Sequence, residues 1–335
     1  FGYNESFRNA INVLYRNIYA TGSSGLVFVI PEKKIAGFIY ANSNNTILVE
    51  NYLKKLLDTY FPVKKQTYQQ KDEDDKRLQS YVGSYLSLKY YDKSISKFLS
   101  LFHSLQLHYL GAGKFQLQPA FPQLYEERFL QREYFELEPP ILYNADHQSY
   151  LAFRMDNEGE ITHMFRAAGD HSVYKKLASY QNYENQIYLI FAFAAYYIGV
   201  FVLLSSGFIY RYWLQYEISE MLGRLRQVQM MIYGNSLFIM VFFVAFYPVV
   251  FLLGGKTEVG VPAYMFSPSS LFYVLFSLPV LSALLLTLLI YIFLRAWAEG
   301  EVTTYRKVKY SIFILVSVCL NIWLNHWNLL GYNFP

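Results

Sequence analysis

Cysteine is almost missing from this 335-residue chain, where Cys319 stands alone. That excludes a disulfide framework and any cysteine-based metal site. Charge is scarce as well: Asp, Glu, Lys and Arg make up 16% of the residues, and the net charge is only +4. The six histidines include no His-Glu-x-x-His and no other familiar ligand pair; His103 and His108 are five apart, and His147, His163 and His171 are scattered. Gly111-x-Gly113-Lys114 lacks the full spacing of a phosphate-binding loop and reads as a turn. Asp72-Glu73-Asp74-Asp75 lies beside Lys71, Lys76 and Arg77 and reads as a solvated segment. No cofactor, no metal and no nucleic-acid partner are expected.

What the chain has in abundance is apolar length. The runs Ile187–Tyr210, Met231–Leu253, Leu271–Leu294 and Tyr310–Leu330 contain no Lys, Arg, Asp or Glu. Each exceeds twenty residues, enough at about 1.5 Å per residue to cross a hydrocarbon core of about 30 Å. Four transmembrane helices are expected, with membrane lipid as their partner. Segment 211–230 carries Arg211, Arg224 and Arg226; segment 295–309 carries Arg295, Arg306, Lys307 and Lys309. Loop 254–270 has only Lys256, balanced by Glu258. Short cytoplasmic loops retain Lys and Arg, so the first and third loops are expected inside. The N-terminal region and the tail Gly331–Pro335 are then expected on the outer face of a bacterial cytoplasmic membrane. Trp213, Trp297, Trp323 and Trp327, with Tyr210 and Tyr212, lie near span ends, where headgroup-level rings are expected. Residues 1–186 hold 21 basic and 20 acidic side chains, so the positive excess belongs mainly to the membrane half. Its source is topology, not nucleic-acid binding.

The first thirty residues lack a charged region followed by an apolar one. Export of a domain this long calls for a signal. The sequence is therefore expected to be the C-terminal portion of a longer precursor.

Ahead of the spans, residues 23–31 and 35–43 are short β-branched and aromatic runs around Pro31-Glu32-Lys33-Lys34, the pattern of an antiparallel hairpin. Asn44 or Asn45 can cap a helix through Val49, Leu53, Leu56, Leu57 and Tyr60, and Pro62 stops it. Residues 63–79 read as a polar linker. Residues 80–178 read as a small antiparallel β domain, with hairpins around Gly111-Ala112-Gly113 and Asp156-Asn157-Glu158-Gly159. The fold class expected is an α+β extracytoplasmic region (residues 1–62 and 80–178) followed by a four-helix transmembrane bundle over 187–330.

The run Gly22-Ser23-Ser24-Gly25-Leu26-Val27-Phe28-Val29-Ile30-Pro31-Glu32, then Gly37-Phe38, Asn42-Ser43 and Leu57-Asp58-Thr59-Tyr60-Phe61-Pro62, resembles the C-terminal end of serine β-lactamase-related hydrolases. Gly83-Ser84-Tyr85 and Leu151-Ala152-Phe153-Arg154…Gly159…Ile161-Thr162 resemble the small β domain that many members carry. The resemblance spans residues 1 to about 175. It implies residues 1–62 to be the last strands and helix of a β-lactamase-like domain. It also implies acyl transfer at a cell-wall peptide or β-lactam-like carbonyl in the full-length form, with C-terminal spans as an anchor.

That chemistry needs Ser-x-x-Lys, Tyr-x-Asn or Ser-x-Asn, and Lys-Thr-Gly or His-x-Gly. The first two elements belong upstream of the matching region. Arg16-Asn17-Ile18 occupies the third, degenerate position. Ser94-Ile95-Ser96-Lys97, Ser172-Val173-Tyr174-Lys175, Tyr40-Ala41-Asn42 and Tyr180-Gln181-Asn182 read as accidental matches, Ser94 being placed between β-type segments. No catalytic residue is assigned. A non-catalytic extracytoplasmic binding or sensory module on a four-helix unit stands as the alternative. In the last span Asn321, Asn325, His326 and Asn328 read as packing groups, with Asn235 and Ser236 as candidate interhelical partners.

Overall fold

The computed structural model describes residues 2–9, 11–43, 45–62, 76–88, 92–121, 132–145, 149–166, 172–213, 223–252 and 268–334. Most of the linker with its acidic run, most of the loop with Lys256 and Glu258, and His147 and His171 lie outside them. The chain divides into two units: Phe1–Tyr90 with Ser100–Tyr183, and Tyr91–Leu99 with Glu184–Pro335.

In the first unit, strands β1 (Asn4–Arg8), β2 (Ile11–Ala20), β3 (Ser23–Ile30) and β4 (Ile35–Ala41) form one antiparallel sheet in sequence order. The hairpin expected around Pro31–Lys34 is β3–β4, with Phe28 opposite Gly37. A Cβ at Gly37 would overlap the Phe28 ring, which lies across that backbone. Helix α1 (Thr46–Tyr60) begins at Asn45, whose side chain accepts from the Leu48 N–H at 3.3 Å. This is an N-cap, which satisfies one of the helix's orphan donors. Val49, Leu53 and Leu57 recur at helical spacing and pack on Ile11, Val13, Tyr15, Leu26, Phe28 and Ile30. Arg8 clamps Asp58 through Nε at 2.9 Å and Nη2 at 2.7 Å, fixing the end of β1 to the helix.

The rest of this unit is a closed eight-stranded barrel. Its strands are β5 (Gly83–Ser87), β6 (Leu105–Gly111), β7 (Lys114–Pro119), β8 (Arg132–Glu138), β9 (Ile141–Asn144), β10 (Ser149–Met155), β11 (Ile161–Arg166) and β12 (Ser172–Lys176). Neighbours in sequence pair antiparallel, and β12 returns to β5 to close the ring. Closure removes both sheet edges. Inward positions fill the interior, among them Tyr85, Leu107, Phe115, Tyr134, Leu151 and Phe153. Residues 76–79, read from sequence as linker, are the start of a short helix, α2 (Lys76–Ser80), with Leu78 fully buried among the barrel residues.

In the second unit, α4 (Tyr183–Trp213), α5 (Gly223–Tyr247), α6 (Ser270–Ala298) and α7 (Thr304–His326) are long and apolar enough to cross a membrane. Each helix starts ahead of its apolar stretch, since backbone hydrogen bonding continues through charged turns: Arg306, Lys307 and Lys309 lie on α7. Helix α7 stops at His326, not Leu330, where Asn328 turns to positive φ. Short helix α3 (Ser96–Ser100) follows Ser94. Ser94 lies between β5 and β6, and directly before this helical turn.

Candidate functional site

Strand alternation decides what the sheet offers to a ligand. Even-numbered positions of β3 face α1, as do odd positions of β2 and β4; their side chains make the core under the helix. The opposite face carries three cross-strand rows: Leu14–Val29–Ala36, Arg16–Val27–Phe38 and Ile18–Gly25–Tyr40. Phe38 and Tyr40 stack at 6.3 Å and are 60% and 61% exposed; Ile18 is 45% exposed. An antiparallel sheet that faces water normally presents polar side chains there. Across β2–β4 this one presents aliphatic and aromatic groups around Arg16, and its polar side chains Glu5 and Asn12 bond to each other at the β1 side.

The degenerate motif is therefore split between faces. Arg16 and Ile18 belong to the open face. Asn17 belongs to the helix face, where its Nδ2 donates to Glu50 Oε1 at 2.9 Å. The Asn17 Oδ1 atom is buried and has no hydrogen-bond partner. Nothing in this trio supplies a nucleophile or a general base.

The accidental motif matches are separated in space or chemistry. Ser94 Oγ pairs with Ser96 Oγ at 2.6 Å, while Lys97 Nζ lies 3.8 Å from Asp92 and 6.0 Å from the Trp327 ring centroid. In the second match Lys175 is exposed on β12. Tyr40 and Tyr180 are exposed. Among the described residues, no three of His, Cys, Asp and Glu gather to hold a metal.

Two polar clusters escaped the sequence reading. In the barrel, Glu136 points inward from β8 and its side chain is fully buried. Arg77 of α2 meets both carboxylate oxygens, through Nη1 and, at 2.9 Å, through Nη2. Tyr81 donates its hydroxyl to Glu136 at 3.0 Å, and Tyr85 donates to the Tyr81 carbonyl at 2.5 Å. Burial first, and the Glu136 carboxylate second, push the Tyr81 hydroxyl well above the usual tyrosine range. Lys176 donates to the Ser80 carbonyl at 2.6 Å, and burial lowers its pKa. The phase of Arg132-Glu133-Tyr134-Phe135-Glu136, with Tyr134 and Glu136 both inward, was the available signal. The cluster ties α2 to β8 of the barrel.

In the second unit, Gln186 Oε1 accepts from both Trp323 and Trp327, at 2.7 and 3.0 Å. Phe98 packs edge-on against Phe246, Trp323 and Trp327. Trp323 and Trp327 are 8% and 2% exposed. They are buried packing groups, and one amide oxygen satisfies both indole N–H groups. Asn328 donates to the Asp92 and Ser94 carbonyls at 2.7 and 3.1 Å, and the Ile95 N–H reaches the Asn333 carbonyl. Asn235 bridges helices, but to the Ser282 carbonyl at 2.8 Å; Ser236 and Asn321 bond within their own helices.

No family model matches the chain, and no curated protein matches it. Among solved structures, SurE with D-Leu is 12% identical with a TM-score of 0.29, matched over 52% of this chain and 38% of that one. A second SurE structure is 13% identical with a TM-score of 0.27, over 52% and 36%. The octameric penicillin-binding protein homologue from Pyrococcus abyssi is 15% identical with a TM-score of 0.20, over 50% and 34%. The matched part spans little more than a third of the length of each of these chains.

Proposed function

We propose that this chain is the C-terminal portion of a membrane-anchored, β-lactamase- and penicillin-binding-protein-like acyl-transfer protein, acting outside the cytoplasmic membrane, and that it carries no nucleophile of its own. In this reading the four-stranded sheet and α1 are the end of the acyl-transfer fold, the barrel is an accessory domain, and α4–α7 hold both at the membrane. The observation that carries it is the two-sided sheet. One face is covered by α1, while the other exposes Ile18, Phe38 and Tyr40. Burying each large side chain is worth about 1.5–3 kcal/mol. A further polypeptide segment bearing Ser-x-x-Lys and Tyr-x-Asn is the occupant this reading assigns to that face. A cell-wall peptide or β-lactam-like carbonyl is then the substrate. The tether of Asn17 to Glu50 favours a second reading, a non-catalytic binding or sensory module, because it fixes the motif strand to the helix and away from a substrate.

Acylation separates the two. The 335 residues alone, in detergent, are expected to take up no fluorescent penicillin. The protein isolated from its native membranes by an affinity tag on this chain is expected to yield a labelled serine outside these residues. Label mapped to Ser94 or Ser172 would show that the chance-match assignment is mistaken. No label in native membranes would leave the non-catalytic reading standing.

A further inference from the structure

We propose that the junction of α6 and α7 is a binding site for one anionic phospholipid. The proposal rests on α4–α7 lying in a bilayer and is independent of acyl transfer. A groove of about 440 Å³ runs along α7, lined by Trp297, Thr304, Lys307, Val308, Ser311, Ile312 and Leu315. From Thr304 to Leu315 the helix rises about 16 Å at 1.5 Å per residue, close to the depth of one leaflet of a core about 30 Å thick.

The lining is polarised along that length. Val308, Ile312 and Leu315 follow one another at four- and three-residue spacing and are all exposed. They offer an acyl chain a continuous apolar strip. The other end is cationic. Lys307 Nζ sits 4.9 Å above the Trp297 ring, which holds the ammonium at the groove mouth. The first N–H groups of α7 open at the same end, and the Thr303 side chain makes no capping bond to them. Such donors favour an anion through their partial positive charge. Arg306 and Lys309 add to the field from the same turn. The nearby carboxylates Glu299 and Glu301 both meet Arg224. A positive mouth over an apolar trough one leaflet deep complements a lipid with a phosphate at one end and a chain below it. A free phosphate would use only the mouth.

The test is native mass spectrometry of the full chain released from micelles holding equal phosphatidylglycerol and phosphatidylcholine. One phosphatidylglycerol is expected to be retained in preference. A basic side chain near a membrane surface is worth about fivefold in anionic-lipid affinity, so Lys307→Gln is expected to lower that retention about fivefold. Lys309→Gln, on the same turn but outside the lining, is expected to lower it less than twofold. Ile312→Trp, which fills the trough, is expected to abolish retention of the two-chain lipid. Glycerol phosphate, which has the headgroup and no chain, is expected not to compete. Equal loss in the two lysine variants would mean a diffuse surface charge and overturn the site. So would equal retention of the two lipids, or competition by glycerol phosphate. The lysine variants change an exposed side chain at 309 and a half-buried one at 307, both in the first turns of α7, so the comparison stands even where Ile312→Trp misfolds.

Discussion

Replacing Arg77 by Met should loosen the barrel, and the structure sets the size of the effect. Glu136 has no exposed side-chain surface, and Arg77 meets both its oxygens. With Arg77 gone, the carboxylate loses its bidentate cation and keeps the neutral Tyr81 hydroxyl. Breaking a buried pair by removing one partner costs about 3–5 kcal/mol, because a charge is left uncompensated in a low-dielectric interior. Arg77 is itself 36% exposed, so water can reach the vacated position and the lower end is expected. About 3 kcal/mol is roughly a hundredfold in an opening equilibrium. Hydrogen exchange of the full chain in detergent, followed by mass spectrometry, reads this directly in the amides of β8, β9 and α2. The double variant Arg77→Met with Glu136→Leu removes both charges and should recover most of the protection. Tyr81→Phe removes one hydrogen bond to a charged group and should cost about 1.5–3 kcal/mol. Loss of less than threefold in Arg77→Met would refute the buried-pair account. So would a double variant as unprotected as the single one.

Alkali should act on the same cluster. Tyr81 and Tyr85 titrate above their ordinary value of about 10 in the folded chain, so the unfolded chain binds fewer protons above that pH and stability falls as pH rises past it. A barrel melting temperature that stays flat from pH 9 to 11.5, against a Tyr81→Phe/Tyr85→Phe control, would contradict this. Gly37→Ala should destabilise the β3–β4 hairpin by about 1–3 kcal/mol, because its Cβ would strike the Phe28 ring. The check is exchange in β3 and β4, with the double variant Gly37→Ala/Phe28→Leu expected to recover part of the loss. On topology, in a Cys319→Ser background, cysteine at Lys256 should react with an impermeant thiol reagent in spheroplasts, while cysteine at Arg224 or Lys307 should not. Reversed labelling would place the N-terminal region inside and remove the extracytoplasmic part of the proposed function.

Features written in neighbouring residues were legible, and features written across the chain were not. The β3–β4 hairpin and the Asn45 cap follow from signals within a few residues of each other. The four long helices follow from length and apolarity alone. Barrel closure depends on Tyr174 meeting Ser87 and Lys176 meeting Tyr85, pairs about ninety residues apart in sequence. Neither strand announces its partner. Helix α2 looked solvated because a single apolar residue, Leu78, sits among charged ones, and a five-residue helix carries too little periodicity to read. The partner of Trp323 and Trp327 was likewise not legible. Their distance from the span end fits a headgroup belt, and their shared acceptor, Gln186, lies on α4 and is far away in sequence.

The sheet motif can be weighed on the same terms. On a strand, the middle residue of any three-residue motif faces away from the other two. Here the middle residue, Asn17, is spent on α1 through Glu50, so its amide serves the fold. The outer pair, Arg16 and Ile18, share the open face with Val27, Phe38, Gly25 and Tyr40. A face this apolar gains by being covered, but covering it also strips water from Arg16, and a guanidinium buried without a partner costs several kcal/mol. Under the proposed function, an acceptor must therefore reach Arg16, either from the covering segment or from Glu5, which shares this face one row away. That requirement separates the two readings in physical terms. In an acyl-transfer site Arg16 would hold the anionic end of a substrate, and in a binding module it would hold the partner itself.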